Sequence, residues 1–155
     1  MLAKVREQMD VWSKRLSWLP PTLARLALGI TFLTAGWGKL GALDAAITNF
    51  RDNFHMPIPE ITAPFVSGVE FVGGILVLAG LLTRFAAIAL MINMLVAVFA
   101  YWWSEVADKL NLFGLAESGY IIMSAWLAVT GAGPLSLDRL LGKTLFRDPS
   151  ASPQK

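Results

Sequence analysis

From Thr62 to Ala100 the chain reads TAPFVSGVEFVGGILVLAGLLTRFAAIALMINMLVAVFA. Two apolar runs meet at one short polar joint, Leu82-Thr83-Arg84, and the first run contains a single acid, Glu70. Each run approaches the roughly 20 residues that carry a helix across the hydrocarbon core of a bilayer. A carboxylate inside such a run costs about 2.5–3.5 kcal/mol on insertion scales. The stretch predicts two membrane-spanning helices in a tight hairpin. It also sets the question for the remaining residues: which groups offset the charge of Glu70.

The composition agrees with a membrane protein. Of 155 residues, 55% are hydrophobic and 15% charged, against roughly 25% charged in soluble domains. The net charge is +2 and the basic residues sit near the ends of the runs, so nucleic acid is not an expected partner. Cysteine is absent and His55 is the single histidine. Disulfides, thiolate catalysis and iron–sulfur clusters are thereby excluded, and no self-contained metal site is expected.

Upstream of the hairpin, Thr22 to Leu40 is apolar except for Arg25 and Lys39 near its ends, and reads as another span. Arg25, Gly29, Phe32 and Gly36 recur at helical spacing on one face, and the glycines would admit a second helix at close range. That helix could come from this chain or, in a homo-oligomer, from another copy. Pro20-Pro21 breaks the chain before this span, and Thr22 is a candidate cap. Residues 1–19 carry Leu2, Val5, Met9, Trp12, Leu16 and Leu19 at helical spacing, with Lys4, Arg6, Lys14 and Arg15 mostly off that stripe. This predicts an amphipathic helix lying in the headgroup plane. Between the first two spans, Gly41–Ile61 is polar, with a short amphipathic turn or helix expected within Ala45–Phe54 and extended chain at Pro57 and Pro59.

Downstream, the third span is expected to end at Tyr101-Trp102-Trp103, an aromatic cluster of the kind found at membrane interfaces. A polar connection, Ser104–Gly114, leads to a fourth span over Leu115–Thr130, with Glu117 and Tyr120 in its first turns. Gly131-Ala-Gly-Pro134 stops it. Ser136 caps a short amphipathic helix, and residues 143–155 read as a disordered tail. The expected fold is all-α: an integral membrane four-helix bundle over residues 22–142, with the N-terminal interfacial helix and a short C-terminal helix. Lys4, Arg6, Lys14, Arg15, Arg84, Arg139, Lys143 and Arg147 fall on one side. The other two connections hold Arg51 and Lys109 against five acids. By the positive-inside rule both termini are expected in the cytoplasm.

Three stretches resemble the DoxX family of small four-helix membrane proteins. They are Arg25-Leu-Ala-Leu-Gly-Ile-Thr-Phe-Leu-Thr-Ala-Gly-Trp-Gly-Lys39-Leu, Glu70-Phe-Val-Gly-Gly-Ile-Leu-Val-Leu-Ala-Gly-Leu-Leu-Thr-Arg84-Phe, and Gly133-Pro-Leu-Ser-Leu-Asp138-Arg. The resemblance covers roughly residues 22–142. It implies a multi-pass protein of the bacterial cytoplasmic (inner) membrane. It also implies an association with quinone-linked or redox-stress assemblies, or with enzymes that modify small metal-handling peptides.

Depth along the spans points to a polar cluster in the outer half of the bilayer. Glu70 lies about 12 Å in from the outer end of its span. Lys39 and Glu117 lie at the outer ends of theirs, and a lysine stem reaches down about one turn. Trp37, His55, Tyr101, Trp102, Trp103 and Tyr120 sit at similar height. Such a pocket would hold the head of a quinone or another amphipathic ligand, with Glu70 exchanging protons and Lys39 holding an oxyanion. The competing reading makes Glu70 a structural acid that fixes helix register. Arg25 and Arg84, at the inner edge, read as headgroup anchors, and Asn93 as an interhelical hydrogen bond. Three functions stand at this point: a redox-assembly subunit, a binding or transport module, and a membrane scaffold for soluble enzymes.

Overall fold

A computed structural model describes residues 2–104 and 116–145. The described residues form seven helices: α1 (Leu2–Leu16), α2 (Leu19–Gly41), α3 (Leu43–Asp52), α4 (Pro59–Ala79), α5 (Thr83–Ser104), α6 (Ala116–Thr130) and α7 (Leu137–Leu145). Three stretches of helix are long and apolar enough to cross a membrane: Gln8–Gly41, which contains α2, then Pro59–Ala79 and Thr83–Ala100. The fourth bundle member, α6, contributes 15 described residues, about 22 Å of helix. The start of the expected fourth span lies outside the described residues, as does most of the connection before it. The protein is an all-α integral membrane bundle, with α2, α4, α5 and α6 packed around one core.

Backbone chemistry sets the ends of these helices. The first helix ends at Leu16, ahead of the two prolines as expected, and Pro20 and Pro21 themselves sit in the first turn of α2, where a missing N–H costs nothing. Thr22 is inside the helix rather than its cap, and its hydroxyl donates back to the Trp18 carbonyl at 2.7 Å. The hairpin joint also falls slightly earlier than expected. Gly80, at φ 67, ends α4 in the left-handed region, which glycine enters without steric cost. Thr83 and Arg84 already belong to α5. Ser136 caps α7 as expected, accepting from the Arg139 N–H at 3.3 Å. α7 runs to Leu145, into the stretch read as a tail, and residues 146–155 lie outside the described residues.

α2 and α4 run antiparallel in the most extensive contact of the fold, and glycine makes their approach possible. A Cβ added at Gly36 would lie 2.4 Å from the Phe71 backbone nitrogen, and one at Gly74 would lie 2.5 Å from that of Leu33. The glycine stripe of α2 is thus occupied within the chain. The core beneath is built from Ala24, Leu28 and Phe32 of α2, Val77 of α4, Ala86, Ala87, Leu90 and Met94 of α5, and Leu127 of α6. A second, smaller cluster joins Ala46 and Phe50 of α3 to Ala63 of α4. It seats α3 across one end of the bundle, and an Arg51–Glu60 ion pair ties the same two helices at the surface. On α1, Met9, Trp12 and Leu16 are exposed.

The opposite end of the bundle is closed by α7. The Asp138 carboxylate accepts from the backbone N–H groups of Leu82 at 2.7 Å and Thr83 at 3.0 Å, and the Asp138 N–H donates to the Gly80 carbonyl at 2.8 Å. An acid at a helix amino end satisfies donors that have no intrahelical partner. Beside this latch lies Arg25, which is buried. Its guanidinium donates to Val77 at 3.0 Å, Leu78 at 2.7 Å, Ala132 at 3.1 Å and Leu135 at 2.5 Å, all main-chain carbonyls. Arg25 therefore does not serve as the headgroup anchor read from its edge position. It ties the end of α4 to the turn after α6 through main-chain carbonyls of both segments.

Candidate functional site

Glu70 occupies the middle of α4 and is 2% exposed. The geometry around it follows from the close antiparallel approach of α2 and α4. With the backbones held together at Gly36 and Gly74, the Lys39 side chain extends along α2 to the acid. Its Nζ lies 2.7 Å from both Oε1 and Oε2. From α5, the Asn93 amide donates to Oε1 at 3.1 Å. The carboxylate is thus held by one cation and one neutral donor, from two different helices. This arrangement answers the cost of placing an acid at that depth, because a buried charge persists where it is paired and hydrogen-bonded.

These three polar groups form one wall of a cavity of about 520 Å³, a size typical of small-ligand sites. The remaining lining is predominantly apolar. Phe32 comes from α2, Val66 from α4 and Met94 and Ala97 from α5. The roof is α3 and the turn behind it, contributing Asn49, Phe50, Phe54 and Met56. Tyr120 and Glu117 of α6 complete the rim, and the Tyr120 ring packs edge-on against Phe32 with centroids 5.7 Å apart.

Of the residues singled out from sequence, Glu70, Lys39, Glu117 and Tyr120 share this cavity. Trp37 does not. It follows Gly36 by one residue, which turns it about 100° around the helix from the α4 contact. There it is 67% exposed and lies against the outer side of Phe71, ring centroids 5.5 Å apart. His55 is an exposed turn residue held at φ 50, outside the cavity lining. The side chains of Tyr101, Trp102 and Trp103 lie outside the described residues. Arg84 is exposed at the α7 end, away from Glu70.

Among the described residues the aromatic roof consists of Phe50 and Phe54 of the connection, and Trp37 is not part of it. Phe50 and Phe54 were not singled out in the sequence; the amphipathic character of Ala45–Phe54 is the signal that could have found them. The second partner of Glu70, Asn93, was legible as a polar residue in mid-span, without its acceptor.

These features define a class: a small polytopic membrane protein whose bundle encloses an apolar cavity around one buried ion pair. The DoxX family profile matches residues 21–103, and the chain belongs to the DoxX family. It is similar to the inner membrane protein YqjF of Escherichia coli, 34% identical over 134 residues, covering 84% of this chain and 98% of that one. It is also similar to a Bacillus subtilis protein named "Putative oxidoreductase CatD", 29% identical over 123 residues, 78% of this chain and 86% of that one. An uncharacterized membrane protein of Mycobacterium tuberculosis is 32% identical over 125 residues, 79% and 71% of the two chains. No solved structure matches the chain. The chain is accordingly a bacterial membrane protein.

Proposed function

We propose that this protein is the membrane-embedded binding subunit of a redox-linked assembly, and that its cavity takes the head of a quinone from the bilayer. The observation that carries the reading is the Lys39–Glu70–Asn93 wall inside an otherwise apolar cavity. Ligand sites commonly combine apolar walls with a few fixed polar groups. A quinone ring and its tail match walls made of Phe32, Phe50, Phe54, Val66 and Met94. The Lys39 ammonium and the Asn93 amide offer donors for a ring carbonyl, and Glu70 would hold or take up a proton beside it. A bound quinone would supply two-electron chemistry. The chain has no cysteine for a thiol or iron–sulfur relay, so reducing equivalents would come from a partner enzyme. The oxidoreductase name of the Bacillus subtilis relative supports that direction.

The charge distribution of the connections supports an inner-membrane orientation with both termini cytoplasmic and the cavity end facing outward. A non-redox binding or transport module, or a scaffold, would share the same bundle. Native mass spectrometry of the protein extracted with its lipids separates these readings. A retained quinone, lost on Glu70→Gln while the variant still accumulates and folds, is the expected result. A retained amphiphile with no redox chemistry would favour the transport reading. A Glu70→Gln protein that fails to accumulate would leave Glu70 a structural acid.

A further inference from the structure

Among the described residues the charges that line the cavity do not balance. Among the described lining residues there is one cation, Lys39, against two acids, Glu70 and Glu117. Lys39 is already committed, with both Glu70 oxygens at 2.7 Å from its ammonium. Glu117 is half-buried at the start of α6 and makes no ion pair or hydrogen bond among the described residues. Glu117 lines a space whose other described walls are mostly apolar and where water screens less than it does at an open surface.

We infer that Glu117 makes this cavity a receptor for amphiphiles with a positively charged head, such as alkylammonium compounds, and closes it to amphiphiles with an anionic head. A cationic head placed at the α3 end of the cavity meets an unpaired carboxylate. The apolar body of the same molecule lies along Phe32, Val66 and Met94. An anionic head in the same place meets that carboxylate with its like charge, and Lys39, the one cation among the described lining residues, is held by Glu70. Phe50, Phe54 and Tyr120 add ring faces, which attract cations and not anions. The inference rests on the cavity being a ligand site, and not on that ligand being redox-active.

The test compares three probes on the purified protein in a non-ionic detergent. They are octyltrimethylammonium, octanoate and a neutral short-chain alkylquinone, with apparent affinities read from dose-dependent shifts in melting temperature. Octyltrimethylammonium is expected to bind about tenfold tighter than octanoate. Glu117→Gln should bring that ratio close to one, and Glu117→Lys should invert it. The ratio is internal to each variant, so a general loss of stability does not imitate the result. Equal affinities in the natural protein, or a preference that survives in both variants, would overturn the role of Glu117. If in that case the neutral quinone still binds, the cavity reading stands and the charge selection alone is wrong. If none of the three probes stabilises the protein, the cavity itself is not a ligand site.

Discussion

The Lys39 ammonium sits equidistant from the two carboxylate oxygens of Glu70, 2.7 Å from each, across the α2–α4 interface. The Lys39 side chain is 33% exposed and that of Glu70 only 3%, so the two are not equivalent members of the pair. Removing the lysine strands a buried carboxylate, whereas removing the acid frees a lysine that can reach the membrane surface. Stranding a fully buried partner costs about 3–5 kcal/mol. The exposure of Lys39 discounts this to about 2 kcal/mol for Lys39→Met. Glu70→Gln should cost less, and the double variant should recover at least about 1 kcal/mol over the sum of the singles. Equilibrium unfolding in mixed micelles measures all three. Additive effects would mean that the pair contributes nothing as a pair.

The glycines divide into two groups with opposite expected behaviour. Gly36→Ala and Gly74→Ala place a methyl within 2.5 Å of the facing backbone, which only a shift of α2 against α4 can relieve. Each should destabilise by about 2–3 kcal/mol. Gly68 and Gly119 have open space where a Cβ would stand. Alanine there should be neutral or stabilise by up to about 1 kcal/mol through helix propensity. A thermal-melting series over the four variants gives the ranking.

Arg25→Lys should behave as a severe substitution despite keeping the charge. A guanidinium reaches four carbonyls on two segments at once, while an ammonium has three donors and no fork. At least one buried carbonyl loses its partner, and the expected loss is about 2–3 kcal/mol. A melting temperature equal to that of the natural protein would show that the four contacts are not needed together.

Asp138→Ala removes the acceptor from the amino end of α5. The loss should be about 1–2 kcal/mol, the usual scale for an N-terminal cap. It should be accompanied by faster hydrogen exchange at the Leu82 and Thr83 amides, which the carboxylate now holds. Exchange that speeds up everywhere, and not first at this joint, would point to a general weakening of the bundle.

Ala35 lines the cavity from α2 and is only half-buried. Ala35→Phe should fill part of that volume with little effect on stability, within about 1 kcal/mol, since apolar filling of an open site creates no cavity. Retention of any co-purifying amphiphile should drop in proportion. Undiminished retention would place the ligand elsewhere on the protein.

The spans and the Lys39–Glu70 pairing were legible in the sequence for related reasons. Span length follows from apolar runs, and height within the bilayer follows from the rise per residue. Height, however, carries no information about direction around the helix axis. Trp37 lies at the height of the pocket and faces out of it, because it is one residue past the glycine that meets α4. Asn93 was identifiable as a mid-span donor, but its acceptor depended on how α5 rotates against α4. Arg25 and Asp138 were hidden for a different reason. Their partners are main-chain carbonyls and N–H groups, which every residue possesses and no pattern of side chains announces. The third family-like stretch, ending in Asp138-Arg139, was the one sequence signal that pointed at the latch.

The contacts of Arg25 also say something about biogenesis. This residue enters the bilayer with the first spanning helix, yet two of its acceptors, Ala132 and Leu135, come from more than 100 positions downstream. Until translation has passed that point, the guanidinium can reach only Val77 and Leu78 of its four main-chain acceptors, and headgroups or water at the inner edge of the span must serve its remaining donors. A stalled or truncated nascent chain would therefore carry, in its oldest segment, a cation lacking half of its protein partners, a defect of the kind that membrane proteases and chaperones can distinguish from a finished product.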